Sequence, residues 1–249
     1  MENKSVNFQK IASTNNDSTA HSHCHNHSHE HDHGHNLWGE LAHHLPYAIF
    51  SVALSLVILS FVSFLSFGQF EQGALKKGSK MLFHGFHFMH ITFAATGTLI
   101  TFFRFSKNIF RALITGITST VFFCTISDSV LPYLGGSALG VDMKFHLCFF
   151  KELPNVIPFL IVGLINGWVM SRHHSSRQSG YSLTSHFSHI FISSLASSFY
   201  LVSHGFFDWY KQIGFVFLFL IIAVVIPCTL ADVVVPMTFA RAGKKDEKH

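Results

Sequence analysis

Two short segments of this 249-residue chain carry histidines three residues apart, "HFMHI" at 87 to 91 and "HFSHI" at 186 to 190. On a helix, residues three apart share a face one turn from each other, so His87 pairs with His90 and His186 with His189. Neutral imidazole is a favoured ligand for Zn, Ni, Co and Cu ions. His84 adds a third ring one turn earlier, in the first segment only. Two further segments place an aspartate among apolar residues, "CTISDSVLP" at 124 to 132 and "CTLADVVVP" at 228 to 236. A carboxylate within an apolar span is expensive and normally faces a partner or a water-filled path. Asp128 and Asp232 are therefore the strongest site candidates.

The neighbours of each aspartate extend the candidate set. Pro132 and Pro236 stand four residues later and lack an N–H to return to the aspartate carbonyl, which predicts free carbonyl oxygens at Asp128 and Asp232. Thr125 and Thr229 share the aspartate face and offer hydroxyls. Cys124 and Cys228 offer thiolates to a soft ion, or else small side chains for helix packing. His44 precedes "LPYAI" (45 to 49) and Glu152 precedes "LPNVI" (153 to 157). Depth alone groups His44 with His186, His189 and Asp232 at one membrane face, and Glu152 with His87, His90 and Asp128 at the other.

A different kind of histidine stands near the N-terminus, where His21, His23, His25, His27, His29, His31, His33 and His35 alternate with small and polar residues, Cys24 among them. Such a composition cannot build a packed core, so residues 1–36 are predicted to be a disordered tail that binds metal loosely through many rings. The tail stores, senses or delivers metal, while selection and movement belong to the apolar segments.

These residues need elements to hold them, and composition says which. Only 12% of the chain is charged, about half of what a soluble domain carries. Six apolar stretches approach the roughly 20 residues that cross hydrocarbon as a helix: 46–68, 81–103, 110–134, 154–170, 183–207 and 213–239. The alternating pattern of a barrel strand is absent. The first 36 residues lack the charged start and apolar run of a secretory signal, so the first span is expected to be retained. The four cysteines are too few and too scattered for a disulfide framework.

Comparing the two halves exposes a repeat. "LPYAI" answers "LPNVI" at an offset of 108, "HFMHI" answers "HFSHI" at 99, and "CTISDSVLP" answers "CTLADVVVP" at 104, in the same order. One match per span at a nearly constant offset indicates a duplicated unit of three helices. An odd number of spans per unit turns the second copy upside down, the inverted repeat of many secondary transporters. The predicted fold is an all-α polytopic membrane protein with six transmembrane helices in a 3+3 inverted repeat. Its parts are the tail (1–36), a first repeat (37–135), a connecting loop (136–152), a second repeat (153–240) and a charged C-terminal tail (241–249).

Lys and Arg number 11 on the side holding the N-terminus, the 104–111 and 172–177 loops and the C-terminus, against 6 on the other. The excess predicts both termini in the cytoplasm.

The function that fits is transport of a divalent transition metal (Zn, Ni or Co, with Cu admissible through the cysteines) through His/Asp sites duplicated in the two repeats. Magnesium and calcium prefer oxygen ligands. There is no Gly-x-x-x-x-Gly-Lys nucleotide loop, so the energy is expected from an ion or proton gradient or from a separate subunit, and imidazoles that titrate near neutral pH suit exchange of metal for protons. Membrane lipid and metal ions are the expected partners and nucleic acid is not. The chain could act alone, as a homo-oligomer or with another subunit. No enzymatic activity is expected; the alternatives are a metal-dependent membrane enzyme acting on a lipid, which needs one site with an open coordination position, and a haem-binding electron carrier with histidine axial ligands.

Overall fold

The computed structural model describes residues 37–67, 72–172 and 178–246, and the histidine tract from His21 to His35 lies outside them. The described chain is helical and contains no strand. Its helices are α1 (Leu37–Phe67), α2 (Gln72–Phe105), α3 (Ile109–Thr125), α4 (Leu131–Ala138), α5 (Cys148–Lys151), α6 (Leu153–Arg172), α7 (Gln178–Ser203), α8 (Ile213–Thr229) and α9 (Val235–Asp246). A five-residue π-helical segment joins α3 to α4 (Ile126–Val130), and another joins α8 to α9 (Leu230–Val234). A 3₁₀ turn, Trp209–Gln212, leads into α8.

Among the described residues, five stretches are long and apolar enough to cross a membrane: His44–Ser66, Gly73–Phe105, Ile109–Ala138, Leu153–Arg172 and Trp209–Ala242. The fifth expected span, now α7, is not among them. Its apolar character is diluted by serines, and Ser193, Ser194, Ser197 and Ser198 are all buried. Helix α7 packs against α1, α2 and α8, so its hydroxyls meet protein rather than hydrocarbon. Charged residues at 241–246 do not end the last helix, which runs on to Asp246.

Helices α2 and α7 form the centre. Phe83 meets Tyr200 and His204, Phe86 stacks on Phe199, and His90 meets His189. Rising numbers on α2 pair with falling numbers on α7, so the two run antiparallel.

Helix α6 lies on α2 through a small-residue seam. A Cβ on Gly163 would stand 2.6 Å from the Thr92 carbonyl oxygen, and one on Gly167 would stand 2.9 Å from that of Thr96. Close backbone approach of this kind is how small-xxx-small motifs join helices in lipid. Threonine hydroxyls reinforce the seam: Thr92 donates to the Phe159 carbonyl (3.0 Å) and Thr96 to that of Gly163 (3.1 Å). On the other side Ser55 of α1 meets Ser198 of α7 at 3.1 Å.

Two helix ends shape the segment that links the halves. After α4, the Val141 N–H reaches the Gly136 carbonyl and Gly140 takes φ +78°; after α7, the Phe206 N–H reaches the Leu201 carbonyl and Gly205 takes φ +123°. Both are Schellman closures, in which glycine accepts the left-handed conformation at no side-chain penalty. The two ends lie together, joined by the Lys144 N–H donating to the His204 carbonyl at 3.3 Å. The segment carrying His146 is thereby held against the end of α7.

Candidate metal centre

The duplicated aspartates are buried, Asp128 with no exposure at all. His87 Nδ1 and His90 Nδ1 approach the same Asp128 oxygen, Oδ2, at 2.8 and 2.7 Å. Asp232 Oδ2 receives His189 Nδ1 at 2.5 Å and lies 3.4 Å from His186 Nδ1. A carboxylate oxygen only accepts, so each Nδ1 carries the proton and, in the neutral ring, each Nε2 keeps a lone pair. Those lone pairs meet: His90 Nε2 lies 2.7 Å from His189 Nε2. Two like dipoles at this distance repel unless a proton or a metal ion stands between them.

Sulfur completes the surroundings. Cys228 Sγ lies 3.7 Å and Cys124 Sγ 3.8 Å from His90 Nε2. The ligand atoms of His90, His189 and Cys228 are already within 4.8 Å of one another. Tetrahedral zinc with Zn–N of about 2.0–2.1 Å and Zn–S of about 2.3 Å needs N···S near 3.6 Å and N···N near 3.4 Å. Both sulfurs are near that spacing from His90 Nε2, the two imidazoles would open by about 0.7 Å, and Cys124 lies outside the group that His90, His189 and Cys228 already form. Behind each imidazole stands a carboxylate on Nδ1, the outer-shell partner that fixes tautomer and basicity in histidine metal sites.

The local fold explains why the aspartates arrive here. In a π-helical segment the backbone bond runs from residue i+5 to i, and the Leu131 N–H indeed bonds the Ile126 carbonyl. In this register the N–H that proline lacks belongs to the carbonyl five residues back, which is that of Ser127 or Ala231 and not that of the aspartate expected from an α-helical count. Both carbonyls are taken by hydroxyls from the neighbouring central helix, Ser197 donating to Ser127 (3.0 Å) and Thr98 to Ala231 (3.0 Å), and Ser119 of α3 also donates to Ala231 (3.3 Å). Thr125 spends its hydroxyl on the Val121 carbonyl of its own helix. Thr229 is buried with its hydroxyl unpartnered.

The expected pair of clusters, one at each membrane face, is instead one continuous group. Helix α2 begins at Gln72 and not near Met81, and α7 at Gln178 and not near Leu183. Each histidine pair thus sits deeper along its helix than span-counting suggested, and the second ring of each pair reaches the helix crossing. His44 does meet His186, with ring centroids 5.1 Å apart, so His44, His186, His189 and Asp232 share one neighbourhood. Glu152 does not join Asp128: it accepts a hydrogen bond from Asn155 (2.8 Å) and lies within electrostatic range of His84 and His146. His84 donates from Nδ1 to the Lys80 carbonyl at 2.7 Å.

Several contributors carried no signal strong enough to single them out. Ser193 donates to Asp128 Oδ1 at 3.1 Å and also meets Ser127 at 2.7 Å. Gly97 leaves room for Asp232, since a Cβ there would stand 2.9 Å from Oδ2. The serine run from 193 to 198 in an apolar helix was the available clue, because buried hydroxyls require partners. Compared with protein-family profiles, curated proteins and solved structures, the chain finds no match.

Proposed function

We infer that this protein moves a divalent transition-metal ion across a membrane, with the ion held midway by His90, His189, Cys124 and Cys228. The observation that carries the reading is the meeting of two imidazole Nε2 atoms at 2.7 Å, backed by Asp128 and Asp232, beside two thiols in a buried interior. In this division of roles the aspartates orient the imidazoles and offset the ion's charge, while nitrogen and sulfur bind. A mixed N/S set favours zinc, nickel or cobalt and leaves copper admissible.

Duplication supports transport over a static structural site. The four central residues come as equivalent pairs, 90 with 189 and 124 with 228. The hydroxyl contacts repeat at the same offsets, with Thr98 on Ala231 matching Ser197 on Ser127. Helix α1 lies on α7 as α6 lies on α2. Six spans arranged as two inverted units would place one binding centre on the pseudo-twofold axis, so that rocking one unit against the other opens it alternately to either face. The His186–His44 pair and the His87–His84 pair continue the imidazole series away from the centre in opposite directions along α7 and α2. Protons leaving the thiols as the ion binds supply a counter-ion.

A lipid-modifying metalloenzyme is less favoured, because it needs one asymmetric site with an open coordination position, whereas the candidate ligands here come as duplicated pairs. Touching His90 and His189 rings likewise favour a single ion over a porphyrin between them.

The test is flux. The full chain, reconstituted in liposomes holding a zinc-sensitive dye, is expected to admit zinc faster than empty liposomes. The paired change Cys124→Ser with Cys228→Ser is expected to abolish the difference. Flux equal to that of empty liposomes, from protein shown to bind zinc, would overturn the transport reading and leave a binding protein.

A further inference from the structure

A second group of histidines lies toward the other end of α2, built from three separate elements. His84 is on α2, His146 lies between α4 and α5, and His204 directly follows α7. Their rings form a series, with His84 to His146 centroids 6.1 Å apart and His146 to His204 centroids 5.7 Å apart. Two imidazoles on one tetrahedral ion have centroids roughly 5 Å apart by the usual bond lengths, so each neighbouring pair stands within about 1 Å of that spacing.

The nitrogens are prepared for it. His84 Nδ1 donates to the Lys80 carbonyl and His204 Nδ1 to the Tyr200 carbonyl at 2.9 Å, which leaves Nε2 of both neutral rings with a lone pair. Nε2 of His84 and Nε2 of His146 are both buried and have no hydrogen-bond partner. His146 is held in place by its backbone: its N–H donates to the Tyr200 hydroxyl (3.2 Å), and that hydroxyl donates to its carbonyl (3.4 Å). Glu152 supplies negative charge nearby, against the positive charge of Lys80 and Lys151.

Phe83 divides this group from the central one. It is fully buried, stacks on His87 with centroids 5.6 Å apart, and touches His84 (5.1 Å) and His204 (5.9 Å) on its other sides. Helical rise puts His84 about 9 Å along α2 from His90, enough for two ions to be held separately.

We propose that His84, His146 and His204 form a second, vestibular site for a divalent transition metal, closed off from the central site by the Phe83 ring. Its donors are all imidazoles, and among the described residues only the central group has its ligand atoms already within 4.8 Å. The vestibular site therefore binds more weakly and exchanges faster, as suits a place where an ion is taken up or released. The proposal extends the transport reading but rests on its own residues.

Crystals of the full-length chain soaked in zinc chloride, measured at the zinc absorption edge, test it. Two anomalous peaks are expected, one at His90, His189 and the two cysteines and one among His84, His146 and His204. In the His146→Ala variant, whose change lies outside the spans, the second peak is expected to vanish while the first persists; His84→Gln serves if that variant does not fold. A filled central site with no vestibular peak overturns the proposal, as does a vestibular peak that survives His146→Ala. A vestibular peak with an empty centre supports it and counts against the central site instead. Neither peak overturns both.

Discussion

At the scale of single residues, the division between ligand and support makes a distinct prediction for each. Cobalt bound by thiolate shows a near-ultraviolet charge-transfer band that cobalt bound only by imidazole lacks. In full-length protein carrying Cys24→Ser, to silence the thiol of the N-terminal tract, the band is expected with both Cys124 and Cys228 present and lost in Cys124→Ser with Cys228→Ser. Asp128→Asn and Asp232→Asn are expected to keep the band and weaken cobalt binding about 10–100-fold each, the usual effect of removing an outer-shell carboxylate. Loss of the band in either aspartate variant, with the fold intact, would return the carboxylates to the role of direct ligands. Cys148 makes the contrasting case. It is fully buried, and burial with Glu152 nearby pushes its thiol up to about 12, so almost none is thiolate at neutral pH. Mass spectrometry after maleimide treatment of the folded protein is expected to find Cys148 unmodified, and to find it modified only after denaturation.

At the scale of elements, the seam between α6 and α2 carries a test of packing. Gly163→Ala would press a methyl into the Thr92 backbone, which cannot move as a side chain would, and overpacking of this kind costs about 1–3 kcal/mol. Gly78→Ala, on α2 where nothing lies within 4 Å of the added carbon, is expected to be neutral or to stabilise by roughly 0.5–1 kcal/mol through helix propensity. Thermal unfolding of both variants in one detergent checks the contrast; equal midpoints would mean that α6 is not seated on α2 as described. The seam was not legible in the sequence, since Gly163 and Gly167 read simply as part of an apolar run. The histidine pairs and aspartates were legible because titratable groups stand out in such a background. Their meeting was not, because depth read from hydropathy begins where charge ends, and α2 and α7 start several residues earlier. The π-helical segments escaped as well: proline marked a break, but only the fold reveals that the break shifts the count by one and frees Ser127 and Ala231 rather than the aspartates.

At the scale of the whole molecule, the question is whether α7 crosses the membrane. Among the described residues, five stretches satisfy length and apolarity on their own, and α7 falls short because its buried face is lined with serine. A helix wrapped by α1, α2 and α8 does not need the apolarity of one that faces lipid, since its hydroxyls bond inside the protein, as Ser193 does with Asp128 and Ser197 with Ser127. Parity makes this measurable. Six crossings put both termini on one side, and five put them on opposite sides. Full-length protein expressed in cells with a short epitope at either terminus is expected to be stained at both ends only after the membrane is permeabilised, as the excess of Lys and Arg on that side predicts. Staining of one end on intact cells would mean an odd number of crossings. Two three-helix units could not then be inverted copies, and the two imidazoles at the centre would owe their meeting to something other than a twofold axis. Staining of both ends on intact cells would preserve the inversion and reverse the direction, placing the vestibular histidines inside and the His44 end outside.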